Sequence, residues 1–339
     1  MERERIKIKK EVSLFKSKYK NQDAITLESN VLKAQFIPEI GSKMCSFIYK
    51  PLNTELLVQR DGKKYKIETY DGCYLKGECS GFDEMFPSID ECYYEDYPWK
   101  GTRIPDHGEI WSIPWRYKIE NEKLTMEVCG VRFPYRLKKT IYFLESNILR
   151  IDYQLLNLSD FNFEFLWAAH SMLVIEEGSE IILPNGVNKV ITDISFDGRL
   201  GKYGEEHTWP YFIDKDGKEQ ILNVIRPKSV KNADKYFIKG KMPQGWCALK
   251  YSKSNIILAF SFPVDKVPYL SILLNEGGWD NLYNIFIEPC TASFDRLDVA
   301  KLRDEYSSIN GNSKFSWHLN LTISETKDFE RISEEGYLI

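Results

Sequence analysis

The stretch 138–157 reads KKTIYFLESNILRIDYQLLN. Apolar and polar residues alternate on both sides of Glu145-Ser146-Asn147. Ile141 and Phe143 precede it; Leu149, Ile151, Tyr153 and Leu155 follow, separated by Arg150, Asp152 and Gln154. A period of two places the apolar set on one face of a strand, and Ser-Asn supplies the turn between two such strands. The same unit recurs at 24–28, 31–37, 43–49, 115–119, 123–131, 162–169, 181–183, 189–192, 246–250, 255–262, 282–288 and 314–324. The joints carry turn residues, as in Asn157-Leu158-Ser159-Asp160, Lys253-Ser254 and Asn310-Gly311-Asn312. Many short strands with such joints predict an all-β, antiparallel sandwich or barrel.

Only 294–307 reads as a helix, with Leu297, Ala300, Leu302 and Tyr306 near helical spacing and Asp295 close to its start. Strands do not alternate with helices, which argues against a parallel α/β fold. No internal repeat or low-complexity linker divides the chain, so 1–339 is expected to be a single domain. Two stretches break the strand rhythm, 72–114 and 198–218. Long irregular loops in a compact β protein are often functional.

Of the 339 residues, 43% are hydrophobic, ample for a core, and the net charge is only −4. The one basic cluster, Lys7, Lys9 and Lys10, is offset by Glu2, Glu4 and Glu11 and alternates with Ile6 and Ile8, as in a solvated charged strand. A nucleic-acid binder should show a basic stripe, so no nucleic-acid or membrane partner is expected. The N-terminus carries no signal-like apolar stretch, and no window approaches a membrane span. Seven cysteines at 45, 73, 79, 92, 129, 247 and 290 form no CxxC pair, which fits reduced, mostly buried thiols and a cytoplasmic protein. Aromatics make up 14%. Both a large β core and a sugar site use them, and composition does not separate the two.

Four histidines are present. His318 sits in an alternating strand, and His207 lies in a loop at the surface or a pocket rim. His107 lies in Pro105-Asp106-His107-Gly108-Glu109-Ile110-Trp111 among polar groups. His170 ends the apolar run Phe163-Glu164-Phe165-Leu166-Trp167-Ala168-Ala169. A lone histidine ending a core strand is usually a satisfied structural group. Glu288 follows the apolar strand Tyr283-Asn284-Ile285-Phe286-Ile287. A carboxylate there is either paired, exposed to water or at a cleft. No HxH, HExxH or HxxxH spacing suggests a metal, and no cofactor motif is present, so neither is expected.

Three segments carry a resemblance: Gly81-Phe82-Asp83-Glu84-Met85-Phe86-Pro87-Ser88-Ile89 with Pro105 to Trp111; Leu137 to His170; and Ile287-Glu288-Pro289-Cys290-Thr291 with Asp295-Arg296-Leu297. In this order they are similar to the aldose 1-epimerase (galactose mutarotase-like) superfamily, in a divergent branch. The resemblance implies an antiparallel β-supersandwich with few short helices, acting on a free aldose as a monomer or homodimer. It implies Glu288 as general base, His170 as general acid and His107 as the second histidine at the sugar. Ring opening needs a proton taken from the C1 hydroxyl and one given to the ring oxygen. An ionised carboxylate and a partly protonated imidazole meet that need without metal or redox cofactor.

Two departures stand out. The usual Asn-Arg pair is replaced by Met85-Phe86-Pro87-Ser88, with Arg103 the nearest arginine considered, and the substrate-binding aspartate has Asp193, Asp197 and Asp214 as candidates. Asp83, Glu84, Asp106 and Glu109 are candidates for sugar hydroxyls or for a solvated acidic loop. Trp99, Trp111, Trp209 and Trp279 are candidates for stacking, with Trp279 preferred and Trp111 and Trp167 assigned to the core. The rival readings are a hexose-6-phosphate 1-epimerase, which would want a basic pocket, a non-catalytic carbohydrate-binding or sensor protein, and a lyase or hydrolase, for which a second carboxylate across the bond is wanted.

Overall fold

The computed structural model describes residues 11–325 and 328–339; the charged N-terminal strand expected around Lys7–Lys10 lies outside them. The described chain is built almost entirely from antiparallel strands in two large sheets. Seven strands position the site: β1 (Lys43–Tyr49), β2 (Phe82–Met85), β3 (Ala168–Val174), β4 (Lys189–Ser195), β5 (Asn232–Ile238), β6 (Tyr269–Glu276) and β7 (Tyr283–Cys290). They belong to a twelve-stranded sheet and are hydrogen-bonded in the order β1-β2-β3-β7-β6-β5-β4.

An eight-stranded sheet holds the stretch quoted above, as Tyr135–Glu145 paired with Ile148–Asn157. The alternation has its expected consequence. Leu137, Ile141, Leu149, Ile151, Tyr153 and Leu155 are all buried in the common core, while Arg136, Lys138, Arg150 and Asp152 are not. Lys139 breaks the pattern by being buried on the apolar side. It forms an ion pair there with Glu84 of β2.

Two expectations need correction. The helix expected over 294–307 shrinks to Leu297–Leu302. Arg296 ahead of it is extended, at φ −108° and ψ 128°, and Asp304 beyond it has a left-handed backbone at φ 57°. The loop expected over 72–114 contains β2, a core strand beside β3. β5 and β6 lie outside every predicted strand. All seven residues of β5 and seven of the eight in β6 are buried, so neither sequence alternates. Alternation marks only half-buried strands.

The seven cysteines are free thiols, and five of them are buried. Among the described residues, no helix is long and apolar enough to cross a membrane.

Candidate active site

Residues directly opposed in neighbouring strands share a face. Asp83 of β2 opposes His170 of β3. Ser271 of β6 opposes both Glu288 of β7 and Phe237 of β5, and Lys235 lies two residues from Phe237 on the same face. Ala168 opposes Cys290, so His170 and Glu288, each two residues away, also share a face. Strand register thus gathers Asp83, His170, Glu288, Ser271 and Lys235, residues scattered over two hundred positions.

Their contacts are close. His170 Nε2 lies 3.3 Å from Glu288 Oε1. Glu288 Oε2 lies 3.3 Å from Lys235 Nζ and accepts a hydrogen bond from Ser271 Oγ. Lys235 donates to both carboxylate oxygens of Asp295, at 2.7 and 2.6 Å. Burial opposes charge on Lys235, but Asp295, Glu288 and Asp193 together hold its ammonium above the usual range.

His107 arrives from a loop. Its own backbone is left-handed (φ 59°), as is that of Gly108 (φ 77°). A Cβ at Gly108 would lie 2.2 Å from the Phe86 carbonyl oxygen, so only glycine fits this approach to the end of β2. His107 Nδ1 lies 2.7 Å from Asp106 Oδ1. Burial would raise the Asp106 carboxyl, but the His107 imidazole and the Tyr74 N–H outweigh it and hold the group below the usual carboxylate range.

Tyr74 joins the two histidines. Its ring stacks on His107 at 4.0 Å and meets His170 edge-on at 5.2 Å. Its hydroxyl donates to Asp83 Oδ2 at 2.9 Å and lies 3.3 Å from His170 Nδ1. Lys43 Nζ reaches the same Asp83 oxygen at 2.9 Å. His170 is nearly fully buried, and this burial, then the charges of His107, Lys235 and Lys43, push its imidazole well below the ordinary histidine value. The surroundings of His170 thus favour its neutral form over the partly protonated one expected from the ordinary value.

Of these groups Tyr74, Asp106, His107, His170, Lys235 and Asp295 line a cleft of about 310 Å³, a size suited to a small ligand. Asp90, Asp106 and Asp295 add carboxylates, while Leu75, Ile194, Phe196, Leu273, Trp279 and Phe286 supply apolar walls. Among the described residues no group of His, Cys, Asp and Glu has the arrangement of a metal site.

The structure brings His107, His170, Asp106 and Trp279 to this cleft, with Glu288 beneath it, and leaves other candidates outside. Asp83 is fully buried under the histidines, held by Lys43 and Tyr74, where no sugar reaches it. Glu84 points into the core. Glu109 is fully buried and accepts hydrogen bonds from Tyr70, Tyr135 and the Arg132 N–H. Arg103 lines an adjoining hollow, ion-paired with Asp71 and Glu91. Trp209 packs against Tyr236, and His207 turns its Nε2 to the Leu200 carbonyl.

Of the three candidate aspartates, Asp197 caps the Arg199 N–H and Asp214 closes a surface hairpin. Asp193, at a bulge in β4, is the one coupled to Asp295, Lys235 and Glu288. Burial and then the Asp295 charge push its carboxyl up to about 8. The folded protein therefore keeps a proton that the unfolded chain releases above pH 4, and the cost to stability grows from about pH 4 to pH 8. Asp193→Asn should remove that cost. Urea unfolding should show the variant more stable at pH 8 by on the order of 1–2 kcal/mol, discounted for partial exposure, and no difference near pH 4. Equal curves at both pH values would remove Asp193 from the charged cluster.

The residues missed by the sequence reading are Lys235, Ser271, Tyr74 and Asp295 as its clamp. A lysine directly before the apolar run Tyr236-Phe237-Ile238 is the available signal.

Solved structures match this architecture closely. A galactose mutarotase-like protein from Clostridium acetobutylicum is 16% identical, with 93% of this chain and 99% of that one covered at a TM-score of 0.66. One from Lactobacillus casei is 15% identical, covering 89% and 100% at 0.63. The fold is galactose mutarotase-like. A galactose mutarotase related enzyme from Lactobacillus acidophilus shares the mutarotase-like fold at 14% identity, with 90% and 98% covered and a TM-score of 0.62. No protein-family model and no curated protein matches the sequence.

Proposed function

We propose that the protein is an aldose 1-epimerase, interconverting the α and β anomers of a free aldose. The observation that carries this reading is the contact between Glu288 Oε1 and His170 Nε2, 3.3 Å apart at the base of a sugar-sized cleft with His107 beside it. Glu288 takes the proton of the anomeric hydroxyl, the C1–O5 bond opens, and a proton delivered to O5 completes the open aldehyde. Rotation about C1–C2 and the reverse steps give the other anomer. His170 is the proton donor to O5, and His107, oriented by Asp106 and stacked on Tyr74, holds the ring oxygen side of the sugar.

The cleft favours a neutral sugar. Asp90, Asp106 and Asp295 present carboxylates at it, the Asp234 carboxylate being turned away into an ion pair with Arg199, and its one lysine is already taken by Asp295. An anionic hexose phosphate would meet carboxylates, where phosphate recognition needs free arginine.

Because burial and the neighbouring charges lower the His170 pKa, its acid form is the minority species near neutrality and grows as pH falls. The expected kcat/KM therefore rises from pH 8 downward toward the depressed His170 pKa. His170→Asn should lose about 10²–10⁴-fold and flatten that slope. Polarimetry or NMR exchange across a panel of aldoses tests both points. A wild type that binds aldoses and exchanges none of them would sink the assignment.

A further inference from the structure

Glu288 has two carboxylate oxygens in different surroundings. Oε2 accepts from Ser271 Oγ and lies 3.3 Å from Lys235 Nζ. Oε1 is buried, has no hydrogen-bond partner among the described residues and lies 3.3 Å from His170 Nε2. We infer that Lys235 is a positioning residue that, with Ser271, occupies Oε2 and so leaves Oε1 as the oxygen that takes the anomeric proton. The identity of that proton rests on the mutarotase reading; the asymmetry of the carboxylate does not.

Lys235 is suited to this task because it is not free to move. Asp295 grips its ammonium through both oxygens. Asp295 in turn is fixed through its backbone carbonyl, which accepts from the N–H groups of Ile89 and Asp90 at 2.9 and 2.8 Å and from Ser88 Oγ at 3.1 Å. The carbonyl of Ile89 accepts the His107 N–H at 2.5 Å. One short segment, Ser88-Ile89-Asp90, thus holds both the clamp on Lys235 and the backbone of His107. The Lys235–Asp295 pair is close to neutral as a unit, so it orients Glu288 without cancelling its charge toward the sugar.

The charged and titratable groups around Glu288 are His170 from β3, Asp193 from β4, Lys235 from β5, and Cys290 and Asp295 from β7 and the segment after it. Only Lys235 among them is a fixed cation.

The test reads the orientation of the Glu288 carboxylate directly, in crystal structures of the variants, beside exchange assays that separate kcat from KM. In Lys235→Met the carboxylate is expected to turn from its wild-type position, and kcat to fall about tenfold or more with KM for the sugar little changed. Lys235→Arg, which keeps the charge and the donors, is expected to restore both. Since Lys235→Met strands Asp295, the double variant Lys235→Met/Asp295→Asn provides a charge-balanced form with the same expected loss of orientation. A Glu288 carboxylate unmoved in Lys235→Met and in the double variant would overturn the inference. The carboxylate position needs no turnover, so it decides the role of Lys235 whether or not the wild type exchanges anomers.

Discussion

Glu288→Gln is expected to slow anomer exchange by roughly 10²–10⁴-fold while the folded structure persists. The amide is nearly isosteric, and its orientation is dictated by its neighbours. Ser271 Oγ and Lys235 Nζ both donate toward the Oε2 position, so the amide oxygen belongs there and the NH₂ is forced into the Oε1 position. The one oxygen free to accept the sugar's proton is then replaced by a donor. Lys235 keeps Asp295 as its counter-ion, so no buried charge is orphaned and stability should change little. The measurements are polarimetric or NMR exchange rates beside circular dichroism and urea unfolding. A variant that retains wild-type exchange on the best aldose would remove Glu288 as the base; an unfolded variant would show that the network around it is primarily structural.

The legibility of this protein follows the period-two rule. A half-buried strand such as Ile148–Asn157 is legible because its alternation and its turn residues agree, and Lys43–Tyr49 and Trp246–Lys250, though nearly all buried, are bounded by their apolar runs and the turn residues beside them. The strands that carry Lys235 and Ser271 were invisible for the opposite reason. β6, Tyr-Leu-Ser-Ile-Leu-Leu-Asn-Glu, is covered on both faces, and β5 buries Asn232, Asp234 and Lys235 along with its apolar residues. A strand that buries polar groups on purpose has no apolar stripe to read.

The candidate site was reached only through resemblance. Glu288 and His170 stand at the ends of apolar runs, where a structural role is commoner. What distinguishes them, a shared face and a 3.3 Å contact, is a property of sheet register that spacing in sequence does not encode. The acidic segment around Asp83 and Glu109 misled for a related reason. Polar residues in a long irregular stretch suggest a solvated or ligand-facing loop, whereas here β2 runs through it, and buried lysine, tyrosine and backbone partners absorb the carboxylates.

Glu84 takes this furthest and gives the largest expected effect on stability. Beside Asp83 in β2, it points away from the cleft into the space between the sheets. Lys139 comes from the opposite sheet to meet its Oε1 at 3.0 Å, and also donates to the Ser42 carbonyl at 2.9 Å. Tyr153 donates to Oε1 at 2.9 Å and Trp167 Nε1 to Oε2 at 2.8 Å. Both charges are almost wholly buried. Lys139→Met leaves the Glu84 carboxylate in the core without its cation, which should cost about 3–5 kcal/mol in urea unfolding. The double variant Glu84→Gln/Lys139→Met removes both charges and should recover most of that loss, because the pair itself contributes little net stability once desolvation is counted. A single variant within about 1 kcal/mol of wild type would mean that water or a shifted side chain already satisfies Glu84. The consequence reaches the cleft. Asp83 and Glu84 are adjacent on one strand, so slack in the Glu84 anchor moves the strand that sets Asp83, Tyr74 and hence His170. Lys139→Met should therefore also lower exchange activity at temperatures where it remains folded, and the double variant should restore activity in step with stability.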